Sequence, residues 1–293
     1  MKAPFPSLTP TWHNGIYPAI EYTSKRLTHE GETVIITGAG SGICREIAIA
    51  FATAGAKHII LIGRTLATLN ETASLVSKAN TSSRLTTFEA DVTDEASVKR
   101  LAAAIDTWNV VIHGAGFINP PTPIIQVDVD DYWKSYETNV KSTIMLVKYL
   151  VPKANQFDAA FLTMTAGGIQ FPIEMLVGNS GYLVSKMALA KTTEFLAQEN
   201  PNIFFASVHP GMVDTDIFRR SGATPEAVPT DTPQLAAGFI LWLTKPEAKF
   251  LKGKTVWANW DIDELKGMQE VISTSGELSI GLTGWPFATG KSA

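Results

Sequence analysis

Six short runs of β-branched and aliphatic residues, each followed by a longer stretch with helical spacing, constrain this chain more than any other feature. The runs occupy 33–37, 58–62, 84–88, 110–113, 159–164 and 203–208. Between them, apolar residues recur every three or four positions over 43–54, 66–78, 95–105, 131–150 and 181–199. Runs that are continuously apolar, rather than alternating, suit a parallel sheet covered on both faces. The alternation predicts a doubly wound, Rossmann-type α/β sheet in a single domain. A helix over 233–243 and a strand over 254–258 complete it. The chain divides into an arm over 1–31, a folded body over 32–263 and a tail over 264–293. The arm holds Pro4, Pro6, Pro10 and Pro18 with Trp12, Tyr17 and Tyr22 and no periodicity. It reads as a segment laid on the surface and anchored by its aromatics. The tail after Asp261 has no clear reading, and 276–293 looks irregular.

Charge and cysteine usage exclude several classes. A net charge of −4 advertises no polyanion-binding surface, so nucleic acid is not an expected partner. With 45% hydrophobic residues the chain has enough apolar material for a core and is not expected to be disordered. One cysteine, Cys44, permits neither an internal disulfide nor a cysteine-rich zinc site. The five histidines show no metal-ligand spacing, and no Gly-x-Ser-x-Gly elbow occurs. The first residues have no apolar signal region, and the longest apolar runs are too short to span a bilayer. The expectation is a cytoplasmic protein of a reducing compartment, with no metal and no membrane partner.

Between the first run and the first helical stretch stands Thr37-Gly-Ala-Gly-Ser-Gly42. Glycines between a strand and a helix let a dinucleotide pyrophosphate approach the backbone, and the helix N-terminus offers unpaired N–H groups to it. Gly38, Ser41, Gly42 and Ile43 are therefore candidate cofactor contacts, although such turns also arise for packing. Where NAD enzymes place an acid on the ribose 2′-hydroxyl, this chain reads Gly63-Arg64-Thr65. A guanidinium suits a 2′-phosphate, so Arg64 favours NADP(H) over NAD. Tyr-x-x-x-Lys occurs twice. Tyr149/Lys153 encloses Pro152 at an expected helix end, whereas Tyr182/Lys186 opens an uninterrupted helix and can stack as i, i+4 neighbours. An ammonium about 4 Å from a phenol, at an effective dielectric near 20, favours the phenolate by about 4 kcal/mol, or roughly three pKa units.

Taken in order, Thr37-Gly-x-x-x-Gly42, Asp91-Val-Thr-Asp94, Gly114-Ala-Gly116, Asn139, Thr165-x-x-Gly168, Tyr182-x-x-x-Lys186 and Pro210-Gly211 each fall at an expected strand end or helix. This succession resembles the short-chain dehydrogenase/reductase family over about 32–263, and the aromatic arm and the Trp257–Asp261 ending are similar to fungal members. The resemblance implies that Tyr182 is the general acid in reduction and the base in oxidation. It implies that Lys186 lowers the tyrosine pKa and holds the nicotinamide ribose. Thr165, where the family has serine, would bind the substrate oxygen, and Asn139 would hold a water relaying protons towards Lys186. Asp91 and Val92 would meet the adenine, and Ala115 and Gly116 would line the cofactor channel. Pro210, Gly211, Val213 and Thr215 would position the nicotinamide carboxamide.

Three departures stand out. Cys44 replaces a third glycine of the turn; His113 and Gly114 replace two asparagines; and the Thr165–Tyr182 interval is several residues longer than usual. A histidine at a strand end is more often a hydrogen-bonded structural residue than a catalytic one. The longer loop either enlarges the pocket or misplaces Thr165, with Thr163 as the fallback hydroxyl. The resulting expectation is an NADP(H)-dependent ketone or aldehyde reductase. Its substrate is a small-molecule carbonyl or alcohol, apolar or bulky and of secondary-metabolite type, with pocket walls over 117–127, 169–177 and 212–228. Long apolar stretches over 131–150 and 181–199 predict a homodimer or homotetramer. Two other readings stand beside this one: an epimerase or cyclase that recycles its cofactor, and a nucleotide-binding sensor without turnover.

Overall fold

Ile35, Ile36, Ile59, Leu61, Val111 and Ile112 are fully buried because helices cover the sheet on both sides. The computed structural model describes residues 3–79, 82–226 and 228–282. Strands β1 (Thr33–Thr37), β2 (His58–Gly63), β3 (Arg84–Glu89), β4 (Val110–His113), β5 (Ala159–Met164), β6 (Ile203–His209) and β7 (Thr255–Trp257) form one sheet. Their order is β3-β2-β1-β4-β5-β6-β7, with every pairing parallel. The chain winds outward from β1 to β3, then crosses to β4 and winds the other way. The β1/β4 junction, where Thr37 pairs with His113, is therefore the topological switch point at which α/β sheets open a crevice.

Two cores sit on the two faces. On one, α1 (Gly42–Thr53), α2 (Leu66–Lys78) and α8 (Pro233–Leu243) pack with the arm; Phe51, Phe239 and Trp242 are its bulk. On the other lie α3 (Glu95–Ala103), α5 (Ser142–Leu150) and the far end of α6 (Ser180–Glu199), around Trp108, Phe161 and Phe205. A short α7 (Asp216–Arg220) follows β6, and α9 (Ile262–Gly267) and α10 (Gln269–Thr274) follow β7.

Two expectations are revised, and the tail gains a reading. The single helix over 131–150 is instead α4 (Val129–Tyr136), a π turn over Glu137–Lys141, and α5. The widened turn holds Asn139, whose side chain is drawn off the helix by the backbone of Phe117; π turns of this kind concentrate at functional sites. The arm is anchored by its aromatics Trp12 and Tyr22, as expected, but more deeply than a surface segment. Trp12, Ile20 and Leu27 are fully buried, Trp12 bridges to Trp260, and the carbonyl of Ile20 meets Gly238 of α8 where no Cβ would fit. The tail begins with two short helices, α9 and α10. Of the stretch read as irregular, 283–293 lies outside the described residues.

Candidate active site

In a parallel sheet every strand ends on the same edge, so the sequence candidates converge there. Gly38 follows β1, Arg64 follows β2, Asp91 and Val92 follow β3, Ala115 and Gly116 follow β4, Thr165 follows β5, and Pro210 follows β6. A Cβ on Gly38 would stand 2.9 Å from the Ala115 nitrogen, so the first glycine is what lets the two loops close across the switch point. Gly42 has φ +56°, a conformation that favours glycine, and Ser41 precedes α1 in an extended conformation with no side-chain cap. The first N–H groups of α1, including those near Ile43, thus lack a side-chain acceptor at the mouth of the crevice, and an anion is the natural partner for them. Thr215, with its methyl 3.2 Å from where a Gly42 Cβ would stand, covers this turn from the other side. These residues fit a dinucleotide pyrophosphate.

Further along the edge, Arg64, Glu89, Ala90, Asp91, Ser97 and Arg100 line a cleft of about 500 Å³. Asp91 accepts from the Thr93 amide and hydroxyl at 2.8 and 2.7 Å through one oxygen, which fixes the turn entering α3. Val92 is buried beneath it.

On the other side of the switch point, Asn139, Lys186 and Ile217 surround Gly116. A Cβ there would meet Asn139 Oδ1 at 3.4 Å and Lys186 Nζ at 3.5 Å. Asn139 clasps the Phe117 backbone, accepting its N–H at 3.1 Å and donating to its carbonyl at 3.0 Å; a second donation reaches Ser185 Oγ at 2.9 Å. Tyr182 and Lys186 lie one turn apart on α6, with the ammonium 5.7 Å from the phenol ring centroid. Lys186 is 3% exposed and donates to the Met164 carbonyl at 2.7 Å. Burial pulls its pKa down to about 8. Burial also pushes the Tyr182 phenol up, against the direction expected from the ammonium alone. The other Tyr-x-x-x-Lys pair is spent elsewhere: Tyr149 bonds Glu95, and Lys153 caps the Ala102 and Ile105 carbonyls at the end of α3.

Thr165 is buried, with its hydroxyl turned to the Lys186 carbonyl at 3.4 Å. Thr163 is locked into a buried hydroxyl group with Thr193 and Ser207 at 3.0 and 2.8 Å, which removes it as a fallback. The longer loop between Thr165 and Tyr182 is pinned at both ends. Phe171 packs on Phe5 of the arm, ring centroids 4.7 Å apart, and the Gly178 carbonyl accepts the Thr122 N–H at 2.9 Å.

His113 is structural, and its tautomer follows from its partners. Ser142 Oγ gives its proton to the Thr138 carbonyl in the π turn, so towards His113 Nε2, 2.9 Å away, it can only accept. His113 Nε2 therefore carries the ring proton, and the bare Nδ1 accepts from Thr37 Oγ1 at 2.8 Å, a hydroxyl that itself accepts the Ala115 N–H. Burial holds this ring neutral, with a pKa down to about 3. Cys44 and Gly114 explain each other: a Cβ on Gly114 would lie closer to the Cys44 sulfur than any unbonded carbon can. The thiol fills the place of the missing side chain, and burial pushes its pKa up to about 12.

The family model for short chain dehydrogenases matches residues 32–226. This chain belongs to that family. A curated short chain dehydrogenase of the fungus Monascus purpureus, mpl6, is 30% identical over 94% of this chain and 98% of its own length. Among solved structures, a short chain dehydrogenase of Shigella flexneri in complex with NADP is 24% identical, with a TM-score of 0.71 over 80% of this chain and 99% of that one. The 3-ketoacyl-(acyl-carrier-protein) reductase of Brucella melitensis in complex with NADH is 21% identical, with a TM-score of 0.67 over 78% and 97%. The likeness to these two structures is one of fold.

Within this short-chain dehydrogenase, sequence reasoning missed Ser185 and Asp231. Ser185 stands beside Lys186 in the motif itself, so its place next to Asn139 was open to a reading of helix faces. Asp231 meets residues far away in sequence, and no local pattern marks it.

Proposed function

We propose that this protein is an NADP(H)-dependent oxidoreductase that reduces a ketone or aldehyde and runs the reverse alcohol oxidation. The observation that carries the reading is Lys186 stacked one turn beyond Tyr182 beside Gly116, on the same sheet edge as the uncapped N-terminus of α1. Bound nicotinamide supplies the hydride. Tyr182 gives its proton to the developing alkoxide, and Thr165, after its hydroxyl turns from the Lys186 carbonyl, adds a second donor. Lys186 opposes the effect of burial on the phenol. Its ammonium, 5.7 Å from the ring centroid, favours the phenolate. Asn139 has one lone pair of Oδ1 left, beyond the Phe117 N–H it accepts, for a water leading to Lys186. Arg64, where an acid would otherwise meet the 2′-hydroxyl, supports NADP over NAD.

The substrate in this reading is apolar and bulky, of secondary-metabolite type. Ile124, Ile125, Ile173, Met175 and Val177 stand exposed on the loops before α4 and α6. Val184, Met187 and Phe195 form an exposed stripe along α6, with Trp133 and Ile144 on α4 and α5, which supports a homodimer or homotetramer. No described helix is long and apolar enough to cross a membrane. The single cysteine supports the cytoplasm.

A panel of apolar ketones and aldehydes, followed by the near-ultraviolet absorbance of reduced nicotinamide with NADPH and NADH in parallel, tests this reading. Turnover preferring NADPH and lost in Tyr182→Phe is expected; undiminished turnover in that variant refutes the assignment. A second reading, nucleotide binding without turnover, draws on the inward-turned Thr165 hydroxyl. Tight NADPH binding with no consumption across the panel would favour it.

A further inference from the structure

The turn after β6 is held by a residue 19 positions further along the chain. Asp231 is 7% exposed, and its Oδ2 accepts the Met212 N–H at 2.7 Å while its own N–H returns to the Met212 carbonyl at 2.9 Å. Gly211, at φ +88°, is where the chain bends around this carboxylate; a Cβ there would stand 2.6 Å from Oδ2. The other oxygen, Oδ1, accepts Asn14 Nδ2 of the arm at 2.6 Å and Asn259 Nδ2 of the turn after β7 at 2.9 Å. The arm is bound again on either side: Thr232 N–H donates to the Asn14 carbonyl at 2.8 Å, and His13 and Asn259 exchange two bonds of 2.9 Å. One buried carboxylate thus gathers three N–H donors from three separate segments. All three are neutral, so the site fixes geometry rather than balancing charge.

What this clasp holds lies over the crevice. Three residues past Met212, Thr215 caps α7 through the Phe218 N–H and covers Gly42; Ile217 covers Gly116 beside Lys186. A shift of the 210–213 turn therefore moves the roof of the site. We propose that Asp231 is a positioning residue that fixes the 210–217 segment over the nicotinamide half of the site, and that through Asn14 it makes the N-terminal arm a part of cofactor binding. This inference rests on the nucleotide-binding reading above.

The test separates the two halves of the cofactor. Calorimetry gives Kd for NADPH and for adenosine 2′-monophosphate, which carries the adenine and the 2′-phosphate but nothing of the pyrophosphate, on the full chain and on Asp231→Ala and Asn14→Ala. Loss of the acceptor for the Met212 amide should raise Kd for NADPH about tenfold or more in Asp231→Ala, as expected for a lost hydrogen bond to a charged group. Asn14→Ala should raise it less. Both variants should leave the monophosphate Kd unchanged. Amide exchange over 210–217 should quicken in both, which provides a readout from the milder variant if Asp231→Ala fails to fold. Equal losses for the two ligands would make the clasp a general stabilising feature and overturn the proposal, as would unchanged NADPH binding in both variants. A wild-type chain that binds neither ligand would overturn the nucleotide reading itself, and this inference with it.

Discussion

Gly114→Ala tests whether Cys44 and Gly114 are one packing unit. The backbone at Gly114 is not in the left-handed region, so an alanine is barred by space and not by conformation. Its Cβ would overlap the Cys44 sulfur, while its next neighbours, the Thr37 carbonyl at 3.2 Å and Met164 Cγ at 3.6 Å, leave it almost enough room. Overpacking a core by one methyl costs about 1–3 kcal/mol, and a sulfur held between α1 and the sheet puts this site at the upper end. Cys44→Ala removes the obstruction and leaves a small void, at about 1 kcal/mol. On that background the added methyl should be close to neutral, helped by the about 0.4–1 kcal/mol that Gly→Ala takes from the unfolded chain's freedom. The cycle should therefore show a coupling of about 2–3 kcal/mol in favour of the double variant. For a domain of this size that is roughly 3–5 °C in melting temperature, read at one scan rate, with urea midpoints as the check. The same penalty for Gly114→Ala with and without the sulfur would refute the reasoning.

Other outcomes follow from the same geometry. His113→Ala removes the link from Thr37 to Ser142 and leaves buried hydroxyls without a partner, so it should cost about 2–4 kcal/mol by urea denaturation and lower kcat through the π turn. With the imidazole neutral down to about pH 3, the wild-type rate profile should have no inflection from this residue between pH 5 and 8. Lys186, at about 8 in the folded protein, discharges as pH rises through that value, so kcat/KM for NADPH should fall above about pH 8, and a flat profile would contradict this. The unfolded lysine keeps its proton up to about 10.4, so this group adds stability as pH climbs from about 8 to 10.4, and Lys186→Met should abolish that rise. Phe195→Glu, placed on the exposed stripe of α6, should shift sedimentation towards monomer; an unchanged coefficient would move the interface elsewhere.

The parallel sheet was legible because burial on both faces demands unbroken apolar runs such as 58–62 and 110–113, whereas the order of its strands was not. Glycine turns and the tyrosine–lysine pair were legible because each is a local pattern of spacing. Proline inside 149–153 was enough to reject the first pair, and its side chains indeed cap α3 and meet Glu95. What escaped was decided across the sheet. The π turn at Asn139 depends on the Phe117 backbone, 22 residues earlier, and helical periodicity runs straight through it. The insertion of Trp12 and Ile20 depends on Trp260 and Gly238, whose surfaces the arm's own sequence does not show.

Read one at a time, Cys44, His113 and Gly114 are three defects in a familiar pattern; in space Cys44 fills the room beside Gly114, and His113 ties β1 to the π turn through a directed chain of hydrogen bonds. Their electrostatic consequence is shared. Burial keeps the thiol protonated and the imidazole neutral, and each feels the Lys186 charge without adding a charge of its own. With no anion offered by these two neighbours, the ammonium is held by desolvation to a pKa about 8, two to three units below an ordinary lysine. A Lys186 poised there can change its proton near neutrality, and its field remains directed at the Tyr182 ring. The departures from the expected pattern thus leave the central pair electrostatically undisturbed, which is why they argue for a working site rather than a lapsed one.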